Sequence, residues 1–220
     1  MIYESSCNIW HNSENDRVHC VHRTRNGLIV AGYEKGIRLF WKDKSKECLL
    51  DAAVSSISSH KDNLYLLEYP SEIGGYLRRM KVHISDDGVV THQLACVEIR
   101  VFILTLVCIG GRLLLGHEKS LCVHNIQDCK KEYTSACSQL SHSSLLYAIP
   151  SNDDILLATT DTRPDGLVKI LLNSNLKHEK LLTLEDDSSY ISALAADEYG
   201  NIYLATTNHV PEIHILSEKG

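Results

Sequence analysis

The chain has 220 residues, of which 44% are hydrophobic and 23% charged, and its formal net charge is −6. This composition supplies enough apolar surface for a folded core and lacks the clustered positive charge that a duplex-binding surface needs. The longest apolar run, residues 101–109, is about half of the ~20 residues of a membrane-spanning helix, and the first 16 residues lack the basic head and apolar stretch of a signal peptide.

One pattern of strands and turns recurs five times along the chain. Each unit has an apolar strand, a tight polar turn, a second apolar strand, a longer loop and a third strand. In chain order, the three predicted strands of each unit are 18–22, 28–31 and 37–41; 54–58, 64–67 and 76–84; 101–107, 112–115 and 121–126; 145–149, 155–159 and 167–172; 191–195, 202–206 and 212–216. Turns such as Asn26-Gly27 and Gly110-Gly111 favour the positive φ of tight hairpins.

The spacing of these units predicts the fold. The second strands begin at residues 28, 64, 112, 155 and 202, in steps of 36, 48, 43 and 47, and a weaker fourth strand follows in the first four units. Four strands per repeat of this length are typical of propeller blades. The prediction is an all-β protein, a single β-propeller domain over residues 1–220 with about five four-stranded blades. The predicted blades are residues 11–50, 51–95, 96–137, 138–184 and 185–220.

The fifth unit has no signal for a fourth strand, whereas residues 1–10 precede the first unit and have no partner in it. We predict that this N-terminal segment is the closing strand at the outer edge of the last blade, where it would cover an edge prone to aggregation. The alternative is that the chain is a fragment of a six- or seven-bladed propeller.

Two stretches resemble known propeller families. The stretch ISALAADEYGNIYLATTNHVPEIHILSEKG, residues 191–220, resembles an NHL-type repeat through its A-x-D-x-x-G-N-I-Y-x-A core, and VHCVHRTRNGLIVAGYEKGIRLF, residues 18–40, resembles a WD40-type blade. No third strand ends in Trp-Asp, and the only Gly-His pair, Gly116-His117, stands after a second strand, so the chain is WD40/NHL-like in a divergent sense. The resemblance implies a scaffold that binds proteins or, as in some NHL members, RNA.

Motifs for catalysis or metal binding do not emerge from the sequence. A metal on a propeller axis needs histidines from several inner strands, and only the first predicted inner strand has them, His19 and His22. Cys122 and His124 share a strand face without a second pair, which favours a packed thiol and an outward histidine. No nucleophile elbow, phosphate-binding loop or dinucleotide fingerprint occurs. We therefore predict a non-enzymatic protein without cofactor or metal.

Eight cysteines are present, several within apolar strand patterns, such as Cys20 in RVHCVH and Cys108 in LTLVCIG. Buried free thiols behave as small hydrophobic side chains, whereas disulfide frameworks are typical of short secreted chains. We predict that Cys20, Cys108 and Cys122 are unpaired and that the protein is cytoplasmic or nuclear.

The predicted binding site is the end of the propeller that carries the loops from second to third strands, because loops on a rigid scaffold often carry function. The candidate partner-binding residues there are Tyr33, Lys35, Tyr69, His117, Arg163, Asp187 and His209. The predicted function is a protein–protein interaction scaffold that binds another protein or peptide. The alternatives are a small-ligand, hydrolytic or lyase propeller that uses the central funnel, and RNA binding by an NHL-like face, which the acidic balance disfavours.

Overall fold

The computed structural model describes residues 17–42, 44–50, 52–71, 74–100, 103, 105–117, 119–138, 140, 144–149, 152–160, 166–172, 177–184, 190–197, 199–207 and 211–217. Nineteen β-strands are described in these ranges. They are β1 (Val18–Arg23), β2 (Ile29–Tyr33), β3 (Gly36–Trp41), β4 (Lys44–Leu49), β5 (Ala53–His60), β6 (Asn63–Ser71), β7 (Gly74–Ser85), β8 (Gly88–Ile99), β9 (Leu106–Ile109), β10 (Arg112–His117), β11 (Ser120–Asn125), β12 (Lys131–Ala136), β13 (Leu146–Ala148), β14 (Ile155–Thr160), β15 (Gly166–Leu171), β16 (Lys177–Thr183), β17 (Tyr190–Ala196), β18 (Ile202–Thr207) and β19 (Glu212–Leu216).

The strands form five antiparallel sheets, each in chain order from its first strand to its last. The sheets, numbered as blades 1 to 5, are β1–β4, β5–β8, β9–β12, β13–β16 and, within the described residues, β17–β19. The first strands of successive blades lie beside one another. This is a five-bladed β-propeller, and the predicted fold class is confirmed. The predicted closing strand, residues 1–10, lies outside the described residues.

The turn chemistry explains why the second strands were predicted to within one residue of their observed starts. Gly110 and Gly111 join β9 to β10 with φ angles of 54° and 73°. A two-residue hairpin of this type needs positive φ at both central positions, which glycine adopts without a steric penalty.

The first strand of blade 3 differs from the prediction. The apolar run was expected to form a strand at residues 101–107, but β9 spans Leu106–Ile109. The backbone of Ile103 is held by a side chain instead, because the Tyr69 hydroxyl contacts both its N–H and its carbonyl oxygen. Ile103 therefore belongs to the connection that leads into β9.

The core consists of apolar clusters between neighbouring blades, because a blade in the middle of the fold buries both faces of its sheet. Leu66 and Leu67 are adjacent in β6 and face opposite sides, so Leu66 packs towards blade 1 and Leu67 towards blade 3. Both are 0% exposed. The terminal blades differ, since Val21 of blade 1 and Ile213 of blade 5 are 65% and 74% exposed.

Two serines connect the inner strands of blades 2 and 3. The Ser56 hydroxyl of β5 accepts a hydrogen bond from the Leu106 N–H at 3.1 Å, and the Ser58 hydroxyl accepts one from the Cys108 N–H at 2.9 Å. Both serines are buried, and the bonds satisfy N–H groups on the edge of β9 that does not face β10. The polar contact therefore fixes blade 3 against blade 2 near the axis.

We expect Ser56→Ala and Ser58→Ala each to lower the free energy of unfolding by about 1–3 kcal/mol, the cost of leaving a buried donor without its partner. Urea titration measures the loss, and hydrogen exchange at Leu106 and Cys108 reports where it arises. Ser55→Ala is the control, because the Ser55 hydroxyl donates within blade 2, to the Leu67 carbonyl. Equal losses in all three variants would contradict a specific contact between blades.

No helix in the described part of the chain is long and apolar enough to span a bilayer.

Candidate functional site

The end of the propeller that carries the connections from second to third strands is called the loop end here. It includes the turn between β2 and β3, the residues between β10 and β11, and the connection from Ile99 into β9. Four predicted site residues lie there and are described: Tyr33, Lys35, Tyr69 and His117. The other three, Arg163, Asp187 and His209, lie outside the described residues.

Tyr33 is buried rather than presented to a partner. Only 1% of the residue is exposed, and its hydroxyl donates to the Glu47 carboxylate, which also lies 3.3 Å from the Arg38 guanidinium. The hydrogen bond from Tyr33, together with the nearby Arg38, holds the pKa of Glu47 below its usual value. Tyr33 therefore ties β2 to β4 within blade 1, whereas Glu34 and Lys35 in the adjacent turn are exposed to solvent.

Tyr69 is a bridge between blades. It is partly buried, burial raises its pKa to about 12, and its hydroxyl contacts the backbone of Ile103. Tyr65 makes a second bridge, because its hydroxyl donates to the Ile126 carbonyl at 3.0 Å. Ile126 follows β11 directly, at the end of the blade opposite the loop end. The two tyrosines hold blades 2 and 3 together at both ends.

A groove of about 420 Å³ lies between these two blades. We call it the blade 2–3 groove. Its lining residues are Val97, Glu98, Ile99, Arg100, Ile103, His117, Ser120, Cys122, His124, Lys131 and Thr134. Val97, Ile99 and Ile103 form its apolar side, and His117, Ser120, Cys122 and His124 supply polar atoms. His117 thus joins the site, and the groove begins at the loop end.

Strand alternation explains the polar side of the groove. Ser120, Cys122 and His124 are every second residue of β11, so their side chains share one face of the sheet. Successive members of this row are about 7 Å apart along the strand. The sheet register places His117 opposite Ser120, and Thr134 opposite Cys122, on the same face. Leu121 and Val123 point the other way, into the cluster shared with blade 4.

His124 is buried, which corrects the expectation of an outward side chain. It is 6% exposed, and its Nδ1 donates to the Cys129 carbonyl at 2.9 Å. This bond fixes the neutral tautomer with the proton on Nδ1, so Nε2 is the acceptor nitrogen. Burial lowers the pKa of His124, and Lys131 lowers it further, against the opposing effect of the Cys129 carbonyl.

We expect this histidine to make stability depend on pH. Because its folded pKa lies below the unfolded value of about 6.5, the unfolded chain takes up the proton first as the pH falls below that value. Stability should then decline, by at most about 1.4 kcal/mol per pH unit for one proton. Unfolding free energies at pH 7.5 and 5.5 test this: the decline should be smaller in His124→Asn than in the wild type. An equal decline would show that His124 is not involved.

Seven cysteines are free thiols among the described residues, including Cys20, Cys108 and Cys122, as predicted. The Cys122 thiol lies 3.6 Å from the Thr134 hydroxyl at the groove. Burial raises the pKa of Cys20 to about 12 and also raises that of Cys108, so these two thiols stay protonated and packed.

The charges around the groove are exposed and both signs occur. Arg100 and Glu98 lie 3.7 Å apart, with 85% and 61% of their side chains exposed, so the pair adds little stability. Lys131 adds a second positive charge. No three His, Cys, Asp or Glu side chains of the described ranges are grouped to hold a metal ion. The groove's chemistry is that of a binding site with an apolar side and hydrogen-bonding groups.

A second cavity of about 420 Å³ lies at the end opposite the loop end, between β4 and the turn from β7 to β8. Lys44 and Ser45 line it together with Asp87. The Lys44 ammonium already donates to the Asp86 carbonyl at 2.6 Å, and Lys42 lies 3.8 Å from the Asp86 carboxylate. Among the described residues, Val89 has the only apolar side chain that lines this cavity, so it lacks the apolar side of the blade 2–3 groove and is the weaker candidate.

No family model matches the sequence, and no curated protein matches it. Among solved structures, a protein of unknown function from Bacteroides caccae is similar with a TM-score of 0.56 and 13% identity, over 89% of this chain and 73% of that chain. The extracellular domain of a putative hybrid two component system from B. thetaiotaomicron has a TM-score of 0.48 and 13% identity, over 97% of this chain and 35% of that chain. The first likeness shows a shared fold alone. The resemblance to WD40 and NHL repeats stays a prediction.

Proposed function

We propose that this chain is a protein-interaction module that holds a partner protein at its loop end, with the blade 2–3 groove at the centre of the contact. The groove carries the proposal, because it combines about 420 Å³ of concave space with an apolar side and nearby hydrogen-bonding groups. Protein interfaces pair such an apolar centre with a polar rim. Lys35 and His117, at the same end, would contact the same partner.

The framework around the groove supports this role. Tyr65 and Tyr69 fix blades 2 and 3 to each other, so a partner would meet a pre-formed surface and little ordering cost. The net charge of −6 favours protein over nucleic acid as the partner. The seven free thiols support a reducing compartment, cytoplasmic or nuclear, as the place where the module works.

We expect a tryptophan in the groove to weaken partner binding strongly. Thr134 is exposed at the groove, so Thr134→Trp fills it without entering the core. Ser45→Trp is the matched control, because Ser45 is an exposed residue of the second cavity, which has the same volume. The wild-type chain and Ser45→Trp should capture the same partner from a lysate, and Thr134→Trp should not. In a binding measurement with the purified partner, the affinity of Thr134→Trp should be about 30-fold or more weaker than that of the wild type.

The reverse pattern would overturn the proposal. A partner that binds Thr134→Trp normally and loses Ser45→Trp uses the opposite end of the propeller. Melting curves of both variants should match the wild type, which separates a blocked site from a damaged fold.

A further inference from the structure

The outer strand of blade 2, β8, has one unpaired edge. It pairs with β7 along its whole length, from Gly88 opposite Ser85 to Ile99 opposite Gly75. On its other side, no strand of the described residues pairs with it. A bulge at Leu94 interrupts the strand, and residues 95–99 form the regular part beside the groove. Alternate N–H and C=O groups of such an edge point outwards, ready for another strand.

Compared with the outer strands of blades 1, 3 and 4, β8 carries few charges along its edge. Lysine side chains, which protect sheet edges from pairing, occur in β4, β12 and β16. In β8 no residue from Gly88 to Val97 is Lys, Arg, Asp or Glu, and Glu98 is its one charged side chain. Val90 and Leu94 are also 42% and 48% exposed. The edge of β8 therefore lacks the charged side chains that would oppose strand addition.

The regular part of this edge adjoins the blade 2–3 groove. Val97 and Ile99 line the groove and pack towards blade 3. A strand added beside β8 would lie about 4.8 Å away, and its side chains opposite Val97 and Ile99 would share their face. Every second side chain of that strand would then point into the groove, next to Cys122 and Thr134.

We propose that β8 binds an extended segment of the partner protein as an added strand, with alternate apolar side chains in the blade 2–3 groove and an acidic side chain beside Arg100. This rests on the proposed function and names its mode of recognition, in which backbone hydrogen bonds give affinity and side-chain pockets give specificity. Two positively charged side chains, Arg100 and Lys131, line the groove, against one negatively charged side chain, Glu98. This excess of positive charge favours an acidic side chain on the partner segment.

A second copy of the chain is a poorer occupant of the same edge. Two β8 strands that pair along their full length in antiparallel fashion place Gly88 opposite Ile99 and Val90 opposite Val97. Gly88 has no side chain with which to fill the groove. The groove is matched better by larger apolar side chains at alternate positions, which a partner segment can supply.

The test uses the full chain and a phage-displayed library of random 12-residue peptides. The strongest selected peptide is resynthesised with single N-methyl groups, one backbone amide at a time. Methylation should weaken binding about 10-fold or more at every second position and little between them, because only alternate amides reach β8. Hydrogen exchange should slow at alternate amides of residues 95–99 when the peptide binds.

Charge variants test the acidic contact. Arg100→Glu should weaken the binding of the selected peptide about 10-fold, whereas Arg112→Glu should not, since Arg112 is an exposed residue of blade 3 that does not line the groove and lies at the end opposite the loop end. The strand-addition proposal is overturned by failure to select any peptide, by a flat methylation profile, by protection elsewhere than β8, or by a dimer of the chain alone with β8 protected. If the partner captured in the groove experiment is sensitive to Thr134→Trp but leaves β8 unprotected, the interaction module stands and strand addition is wrong.

Discussion

Replacing Arg78 with methionine should lower the free energy of unfolding by about 3–5 kcal/mol, the usual cost of leaving a buried charge without its partner. The partner is Glu68, whose side chain is 1% exposed. Arg78 binds it with two bonds, Nε to Oε1 at 2.5 Å and Nη2 to Oε2 at 2.9 Å, and also contacts Gln93. Without the guanidinium, Glu68 must either stay charged in the interior or take up a proton.

The control for this prediction is Arg100→Met, which removes an arginine from the exposed pair with Glu98 and should cost less than about 1 kcal/mol. The double variant Glu68→Leu with Arg78→Leu should recover most of the stability, because an apolar pair of similar volume leaves no buried charge. Urea denaturation measures all three. A loss below about 1 kcal/mol for Arg78→Met would mean that water reaches Glu68.

Two glycines with the same backbone angle should respond very differently to alanine. Gly36 has a φ of 137° and Gly88 a φ of 138°. A Cβ on Gly36 would overlap the Cys48 carbonyl oxygen and lie 2.9 Å from the Leu50 nitrogen, whereas a Cβ on Gly88 would meet nothing within 4 Å. Gly88→Ala therefore measures the backbone strain alone.

We expect Gly88→Ala to cost about 1–3 kcal/mol and Gly36→Ala about 2–6 kcal/mol, since steric overpacking adds to the strain. The displaced backbone in Gly36→Ala would also weaken the bond from the Leu50 N–H to the Lys35 carbonyl. Chemical denaturation of the two variants side by side isolates the steric part. Equal losses would contradict the close approach of β4 to Gly36.

The strands could be predicted because their signals are local. Apolar alternation and turns such as Gly110-Gly111 fix where a hairpin starts, and these depend on a few neighbouring residues. The start of β9 was wrong for a reason that no local pattern contains: Ile103 is held by Tyr69, which is 34 positions earlier in the sequence.

The site could be predicted only in part. Topology placed Tyr33 and Tyr69 at the loop end, but their burial depends on the partners Glu47 and Ile103, which come from other strands and connections. The groove was missed because two sheets form it. Its one visible signal was the shared face of Cys122 and His124, and the histidine was expected to point outward.

Photo-crosslinking tests the central claim, that a partner protein binds at the loop end, most directly. A benzophenone amino acid is placed at Lys119, which is exposed beside His117 and Ser120, or at Ser45, which is exposed in the second cavity at the opposite end of the propeller. We expect a cross-linked partner from position 119 and none from position 45. A product from position 45 alone would contradict the claim.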